Sequence, residues 1–345
     1  MSKKVKKIVC LGGGNAMPKA VLTGLKKHPV KLSVICAMLD TGGSAGRLRK
    51  EFKIVSPGDI RRALVALANT SPVIENLFNY RFKTGKLKDH NFANLFIAAL
   101  ELTTANYEKT ISEISRFLNI KHEVLPVTLD NANLYAVLEN GKIISGEANI
   151  DMPKHNGNLK IKKVYLKPKA KIYPKAAIAI KEADLIIIGP GDLYSSLAQI
   201  LLTEGISEAI KKSKAKKVYI CNLMIKYGET NNFSVLDFTK EIEKYLGGEL
   251  DYVIYNTKKP SAKRLKIYKK QHPELLDLVK FDQKSLDTQA TAKAMRTSLS
   301  SLPSPRKRGS VGKKFIGLDL LPFSGPIDHD SKKLTKIILN LCQPR

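Results

Sequence analysis

A run of three glycines follows directly after the apolar run KIVCL. Glycine lets a backbone approach a ligand closely, and the N–H groups at the start of a helix attract phosphate. The dinucleotide-binding fingerprint Gly-x-Gly-x-x-Gly is incomplete, because Met17 stands where its third glycine would be. The sequence therefore predicts an anion-binding loop of another pattern, formed by Gly12, Gly13, Gly14 and Asn15.

A second candidate loop, DTGGSAGRLR, follows the next apolar run, LSVICAML. Asp40 stands where a nucleotide fold places a carboxylate that binds ribose or a metal ion. Arg47 carries a planar guanidinium that could contact a phosphate through two hydrogen bonds. Each has a structural alternative, since Asp40 could be a turn or cap residue and Arg47 could pair with Glu51. The candidate ligand residues of this loop are Asp40, Gly42, Gly43, Ser44 and Arg47.

The third loop, GPGDLYSS, follows the run DLIIIG and again brings glycines to the start of a helix. Two glycine-rich helix starts on one sheet suit two charged groups side by side, as in a diphosphate. The carboxylate of Asp192 would repel a phosphate unless a cation lies between them, so Asp40 and Asp192 are the candidate ligands for Mg²⁺. The candidate residues of this loop are Gly189, Pro190, Gly191, Asp192 and Tyr194.

Other polar residues have both a structural and a functional interpretation. The segment SPGD fits a capping box, in which Ser56 and Asp59 would satisfy the start of a helix. His90 and Asn94 lie four residues apart on one helix face, where they could bind a ligand hydroxyl or each other. No His-x-x-x-His or Ser-His-Asp grouping indicates a zinc enzyme or a serine hydrolase.

The composition is that of a globular protein with a basic surface. The chain has 345 residues, of which 43% are hydrophobic, and its formal net charge is +28. The lysines are scattered along nearly every segment, and no zinc-finger, helix-turn-helix or ribonucleoprotein signature is present. Specific nucleic-acid binding is therefore not predicted.

Cysteine use and hydropathy predict a cytoplasmic protein without a membrane span. The four cysteines stand singly with no Cys-x-x-Cys, which is typical of core residues in a reducing compartment. The first apolar stretch is only a few residues long and ends in glycines, as a strand does and a signal peptide does not. No apolar run approaches the roughly 18 residues that a transmembrane helix needs.

The order of the apolar runs predicts an α/β fold with a Rossmann-like, doubly wound, mostly parallel sheet. Residues 5–39 form a β-α-β unit. A helical insertion follows at 57–118, and short strands separated by turns form a small β-rich segment at 123–166. Alternating strands and helices then resume, which places the ligand crevice at the carboxyl ends of the strands.

The predicted α/β domain comprises residues 1–257 and 315–345. Between these parts, the sequence assigns no structure to the connecting segment 258–287. Residues 288–314 hold seven Lys or Arg and no Asp or Glu, with almost no large apolar side chains. Such a composition predicts a disordered basic insertion.

A series of motifs occurs in one order along the chain: GGG, DTGGSAGRLR, PGDIR, LFNYRF, HNFANL, LPVT, SGE, ADLIIIGPGDLY, VYICNLM and GET. Together they resemble the gluconeogenesis-factor (YvcK-type) branch of the CofD-like superfamily, which includes 2-phospholactate transferase. The resemblance spans nearly the whole chain except residues 258–314. An ordered series of this length is far more specific than any single glycine loop.

The resemblance implies a cytoplasmic, homodimeric regulator of carbon metabolism and of cell-envelope and shape maintenance that binds a UDP-type nucleotide sugar, with no established catalytic activity. On this hypothesis residues 12–15 and 189–191 hold the diphosphate, while Arg47, Asn94 and Asn222 reach the sugar or the nucleoside. The motifs PGDIR and HNFANL supply the remaining candidate ligand residues, Asp59, Arg61 and His90.

The alternative hypothesis is an Mg²⁺-dependent transferase similar to the branch that moves a phospholactyl group between a nucleotide and a deazaflavin. The chain departs from the family pattern DDGGSSGRLR, because Thr41 replaces its second Asp and removes one candidate metal ligand. That departure weakens the transferase hypothesis. Asp192, which replaces Ser in the pattern GPGSLY, could restore a carboxylate from across the crevice.

Overall fold

Seven parallel strands form the main sheet in a computed structural model that describes residues 5–283, 286 and 314–343. Numbered in chain order, the strands lie across the sheet as β12 (Lys314–Leu318), β10 (Tyr252–Asn256), β8 (Lys216–Ile220), β7 (Leu185–Ile188), β1 (Lys6–Leu11), β2 (Val30–Cys36) and β3 (Glu123–Pro126). This order confirms the predicted doubly wound α/β fold.

The central strands are nearly continuous apolar runs because helices cover both faces of the sheet. All four residues of β7 are buried, as are the last four of β1. The chain runs from β1 outward to β2 and β3, and later returns to the other side of β1 with β7. The strand order therefore reverses between β1 and β7, which is where an open α/β sheet forms its ligand crevice.

The first and third glycine loops are each followed by a helix that begins with a π-helical turn. After β1, the π-helix Pro18–Leu22 continues into α1 (Thr23–Leu25). After β7, the π-helix Leu193–Ala198 continues into α9 (Gln199–Leu201). Such turns are rare and frequently occur at functional sites.

The predicted helical insertion contains four helices after α2 (Gly43–Phe52), and asparagine side chains cap two of them. The Asn91 side chain accepts a hydrogen bond from the Asn94 N–H, and the Asn106 side chain accepts one from the Lys109 N–H. Phenylalanine rings 5.6–6.1 Å apart join three of these helices. The helices are α3 (Gly58–Leu67), α4 (Pro72–Asn79), α5 (Phe92–Thr104) and α6 (Tyr107–Phe117).

The segment expected to be rich in strands is divided between two sheets. Its first strand, β3, does not form a hairpin but pairs with β2 in the main sheet. Val124 and Leu125 are buried there, which favours this position. The rest forms a three-stranded antiparallel sheet with a short helix beside it. These elements are β4 (Asn133–Leu138), β5 (Ile143–Ser145), α7 (Glu147–Asp151) and β6 (Ile161–Lys167).

The connecting segment has regular structure of its own. Within it lie α12 (Ala262–Gln271) and β11 (Leu275–Leu278), and β11 pairs antiparallel with β9 (Met224–Lys226). Residues 288–313 of the predicted basic insertion lie outside the described residues, and Lys314 begins β12. The remaining helices are α8 (Pro174–Glu182), α10 (Ile206–Lys212), α11 (Val235–Leu246) and α13 (Ser331–Cys342). Within the described ranges, every helix is too short or too polar to cross a bilayer.

Candidate functional site

A crevice with two lobes opens beside the carboxyl ends of β1 and β7, and both lobes are lined by Gly14, Asn15 and Asp192. The polar lobe has a volume of about 450 Å³, and most of its side chains are charged or amide groups. They include Asp40, Asp59, Arg61, Arg62, Arg81, Asn94, Glu147 and Asp151. The aromatic lobe has a volume of about 330 Å³ and includes Lys19, Asn222, Met224, Tyr268, His272, Ile327 and His329.

Asp59 anchors the first glycine loop. Its Oδ1 atom accepts a hydrogen bond of 2.8 Å from the Gly14 N–H and one of 2.6 Å from Arg62 Nη1. A Cβ atom on Gly13 would lie 1.9 Å from Asp59 Oδ2, so only glycine allows this close approach. The capping-box interpretation is wrong, since α3 has no side-chain cap and the buried Ser56 Oγ has no partner among the described residues.

This anchoring also corrects the expected source of anion binding. The Gly14 N–H is bonded to Asp59, and the Gly12 N–H donates to the Ile35 carbonyl at 3.2 Å. Two of the backbone donors expected to hold a phosphate are therefore already engaged. Positive charge in the crevice comes instead from side chains, namely Arg61 and Arg62 of α3 together with Lys19, Arg81 and Lys226.

Among these side chains, Arg61 combines burial with the lack of a carboxylate partner in the described chain. It is buried with 9% of its surface exposed, and no carboxylate of the described chain forms an ion pair with it. Its Nη1 atom donates to Asn79 Oδ1 at 3.5 Å, while its Nε atom has no partner within the described residues. Burial, together with the charges of Arg62 and Arg81, lowers the pKa of Arg61 to about 10. The guanidinium is thus still charged at neutral pH and has room for an anion beside it.

Three further buried polar atoms along the polar lobe lack partners among the described residues, namely Arg62 Nε, Asn94 Oδ1 and Ser196 Oγ. The Asn94 Nδ2 group donates to Ser44 Oγ at 3.2 Å, which leaves the amide oxygen as the free acceptor. Buried polar atoms are normally hydrogen-bonded. A ligand with hydroxyl and anionic groups would therefore supply the missing hydrogen-bond partners of the Asn94 amide oxygen, the Ser196 hydroxyl and the Arg61 Nε–H group in this lobe.

Asp40 and Glu147 form a carboxyl pair at the side of the same lobe. Thr41 joins the loop that carries Asp40 to α7, because its N–H donates to Glu147 Oε2 at 3.2 Å and its Oγ1 accepts from the Ala148 N–H at 3.0 Å. Burial, and then the charges of Asp40 and Asp151, raises the pKa of Glu147 to about 9. Burial, and then Asp59, also raises the pKa of Asp40. At neutral pH this pair retains a proton.

Replacing Glu147 by Gln should stabilise the protein at alkaline pH. The raised folded-state pKa means that folding retains a proton that the unfolded chain loses above its ordinary pKa of 4.5. Stability from this proton is full below pH 4.5 and is lost as the pH rises through about 9. The midpoint of thermal unfolding should change less between pH 5 and pH 9 in E147Q than in the wild type. At pH 9 it should lie a few degrees higher in E147Q. Parallel curves for the two proteins would contradict the raised pKa.

Lys226 lies at the boundary of the two lobes among three carboxylates. Its Nζ atom contacts Asp151, lies 3.0 Å from Asp192 Oδ2 and lies 3.3 Å from Glu229 Oε1. Burial alone would disfavour the ammonium, but the charges of Glu229, Asp192 and Asp151 outweigh it and raise the pKa of Lys226. Asp192 therefore has a cation beside it, as the sequence required, but that cation is a lysine.

The aromatic lobe is lined by ring and aliphatic side chains together with a buried histidine. Tyr268 and His272, one turn apart on α12, have ring centroids separated by 4.6 Å, and Met224 and Ile327 also line the lobe. The buried His329 donates from Nε2 to the Cys221 carbonyl at 3.2 Å, and burial lowers the pKa of His329 to about 4. The imidazole of His329 is thus neutral and fixed.

The structure brings most of the predicted residues to the crevice, but five do not line it, namely Gly12, Arg47, His90, Gly189 and Tyr194. Arg47 is exposed and donates to the Lys88 carbonyl at 3.2 Å, rather than pairing with Glu51. His90 Nδ1 is bonded to Ser44 Oγ at 3.2 Å. Tyr194 is buried in the core, and its N–H donates to Glu229 Oε2 at 2.9 Å.

Asn222 has a structural part as well as a place in the lining. Its Nδ2 group donates to the Gly191 carbonyl at 2.9 Å, and its Oδ1 accepts from the Gly191 N–H at 3.4 Å. The amide therefore holds the third loop in place.

The sequence analysis did not predict several residues that line or support the crevice, although the motifs SGE and GET already contained two of them. The missed residues are Arg62, Arg81, Glu147, Asp151, Lys226, Glu229, Tyr268 and His272.

Comparison with known proteins identifies the family. The sequence model of a family described as 2-phospho-L-lactate transferase CofD matches residues 8–300. The chain belongs to the CofD family. The gluconeogenesis factor of Bacillus subtilis is 41% identical over 254 residues, which cover 73% of this chain and 78% of the relative. The gluconeogenesis factor of Halalkalibacterium halodurans is 43% identical over 246 residues, which cover 71% and 75%.

A solved structure supports the same assignment. A crystal structure of a UPF0052-family protein from Bacillus halodurans is 34% identical and superposes with a TM-score of 0.84, covering 98% of this chain and 100% of that one. Together with the named relatives, it confirms the gluconeogenesis-factor branch that the motif series predicted. Membership supports a regulatory or CofD-like role.

Proposed function

We propose that this CofD-family protein binds a UDP-type nucleotide sugar across its two lobes and acts through that binding as a regulator of carbon metabolism and cell-envelope maintenance. The observation that carries the proposal is Arg61, a buried cation that has no carboxylate partner in the described chain and faces a cavity. A buried charge is costly unless it is paired, and a ligand phosphate would pair it.

The two lobes suit the two ends of such a ligand. The rings of Tyr268 and His272, tilted by 41° to each other, offer ring faces against which a base would pack in the aromatic lobe. The diphosphate would cross the shared wall at Gly14 and Asn15 toward Arg61. Sugar hydroxyls would then donate to Asn94 Oδ1 in the polar lobe.

Calorimetric titration tests this assignment. UDP-N-acetylglucosamine should bind with a 1:1 stoichiometry, and GDP and NAD should bind more weakly because they place no sugar of this kind in the polar lobe. Each titration is repeated with Mg²⁺ and with EDTA. Absence of heat with all three nucleotides, confirmed by unchanged thermal stability in their presence, would overturn the proposal.

A transferase activity is the second candidate, and one observation favours it. The protonated Glu147 lines the polar lobe and could give a proton to a leaving group there. With water as the acceptor of the transferred group, chromatography should detect free UDP or UMP released from UDP-N-acetylglucosamine over hours, and E147Q is the control. The homodimer implied by the resemblance stays a prediction.

A further inference from the structure

The carboxylates around Lys226 have the arrangement of a cation site. Asp151 ends α7, Asp192 follows β7 and Glu229 follows β9, so three separate segments converge. Their ligand oxygens lie within 4.8 Å of one another, and no other such group of three is found among the described residues. Magnesium prefers carboxylate oxygens of this kind.

The centre of that arrangement is occupied by a side chain. Lys226 Nζ bonds to Asp151 and lies 3.0 Å from Asp192 and 3.3 Å from Glu229, and only 8% of the lysine side chain is exposed. A divalent ion bound by the same oxygens would need the volume that the ammonium fills. The Mg²⁺ of the transferase hypothesis therefore does not fit this cluster while Lys226 is in place.

The position of the cluster connects it with ligand binding. Asp192 lines both lobes, and 41% of its side-chain surface is exposed. Without a neighbouring cation it would repel a diphosphate on the shared wall. Glu229 is held more firmly, because it accepts hydrogen bonds from the N–H groups of Tyr194 and Ser195 and from Ser195 Oγ.

We propose that Lys226 is a built-in cation that takes the place of a divalent metal ion in this crevice, so that the protein binds its diphosphate ligand in metal-free form. The second half of this inference rests on the proposed function, whereas the first half concerns the protein alone. The two halves are tested separately.

The first experiment measures Mn²⁺ binding to the protein without nucleotide, by electron paramagnetic resonance of the free ion. The wild type should bind no Mn²⁺ at the cluster, and Lys226→Met should gain one site. That site should be lost again when Asp151→Asn and Asp192→Asn are added. Lys244→Met is the matched control, because it breaks a lysine–carboxylate pair of 2.7 Å with Glu241 outside the crevice and should gain no site.

The second experiment titrates UDP-N-acetylglucosamine in EDTA and in Mg²⁺. Wild-type affinity should be the same within about twofold in the two buffers, while Lys226→Met should bind about tenfold more weakly in EDTA and regain affinity in Mg²⁺. Lys226→Arg keeps a cation and should remain independent of Mg²⁺, which provides a test if the methionine variant does not fold.

Two results would overturn the inference. One is a wild-type Mn²⁺ site that disappears in Asp192→Asn, and the other is wild-type nucleotide affinity that rises about tenfold or more with Mg²⁺. If the wild type binds no nucleotide at all, the proposed function fails, and the Mn²⁺ measurement alone decides whether Lys226 replaces a metal ion.

Discussion

Replacing Arg61 by Ala should lower the affinity for UDP-N-acetylglucosamine by roughly tenfold to a hundredfold, since a charge-assisted hydrogen bond contributes about 1.5–3 kcal/mol. The side chain is buried beside the polar lobe, and no described carboxylate pairs with it. Arg61→Lys keeps the charge but removes the planar fork, so it should lose nearly as much affinity if two hydrogen bonds are made. Isothermal calorimetry at fixed salt measures both variants.

Arg47 provides the matched control for this experiment. It is an arginine of the same charge close in sequence, but it is exposed and lies outside the crevice. Arg47→Ala should leave the dissociation constant within about twofold of the wild-type value. Equal losses in the Arg47 and Arg61 variants would indicate general electrostatic attraction by the basic surface rather than a specific contact.

Replacing Gly13 by Ala should both destabilise the protein and abolish ligand binding. The new Cβ would lie 1.9 Å from Asp59 Oδ2 and 3.0 Å from Ser196 Oγ. Asp59 can retreat only by giving up its bonds to the Gly14 N–H and to Arg62. Loss of such charge-assisted bonds costs about 1.5–3 kcal/mol, which lowers the midpoint of thermal unfolding by several degrees.

A double-mutant cycle identifies the cause of that loss. If the collision with the Asp59 carboxylate is responsible, Gly13→Ala should cost much less stability when Asp59→Ala is already present. Additive effects of the two substitutions would show that Gly13 is required for its backbone conformation or for a different contact. Circular dichroism during thermal unfolding gives the four stabilities that the cycle needs.

Arg61 and Lys226 both supply positive charge to a crevice that is lined by carboxylates. The polar lobe holds several carboxylates, so an anionic ligand can bind only where these charges are neutralised or protonated. Asp59 is paired with Arg62, Asp192 is paired with Lys226, and Glu147 holds a proton. This leaves Arg61 as a buried cation with unused hydrogen-bonding capacity among the described residues.

The sequence by itself determined the fold and the position of the crevice. Apolar runs such as LIII at 185–188, separated by amphipathic segments, specify parallel strands covered on both faces. Glycine loops directly after two of these runs then mark the carboxyl edge of the sheet. These signals are local, because strand burial and helix starts depend on residues only a few positions apart.

Tertiary structure alone decided which side chains act in the crevice. Arg47 follows a glycine loop as predicted, but the buried face of α2 is formed by Ser44, Ala45 and Leu48, which turns Arg47 to solvent. Asp59 looks like a cap in the sequence, yet it bonds to the Gly14 N–H, 45 residues away. Contacts of this kind depend on how the helices rotate against the sheet, and no local pattern records that rotation.

The cluster around Lys226 is the clearest example of a site that local sequence patterns do not predict. Its carboxylates come from a helix beside the antiparallel sheet, from the loop after β7 and from the turn after β9. The sequence indicated that Asp192 needs a cation and suggested Asp40 as its partner in a metal site. The fold instead placed Asp192 beside Lys226, because strands β7 and β9 and helix α7 end at one point in space, and chain order gives no measure of that convergence.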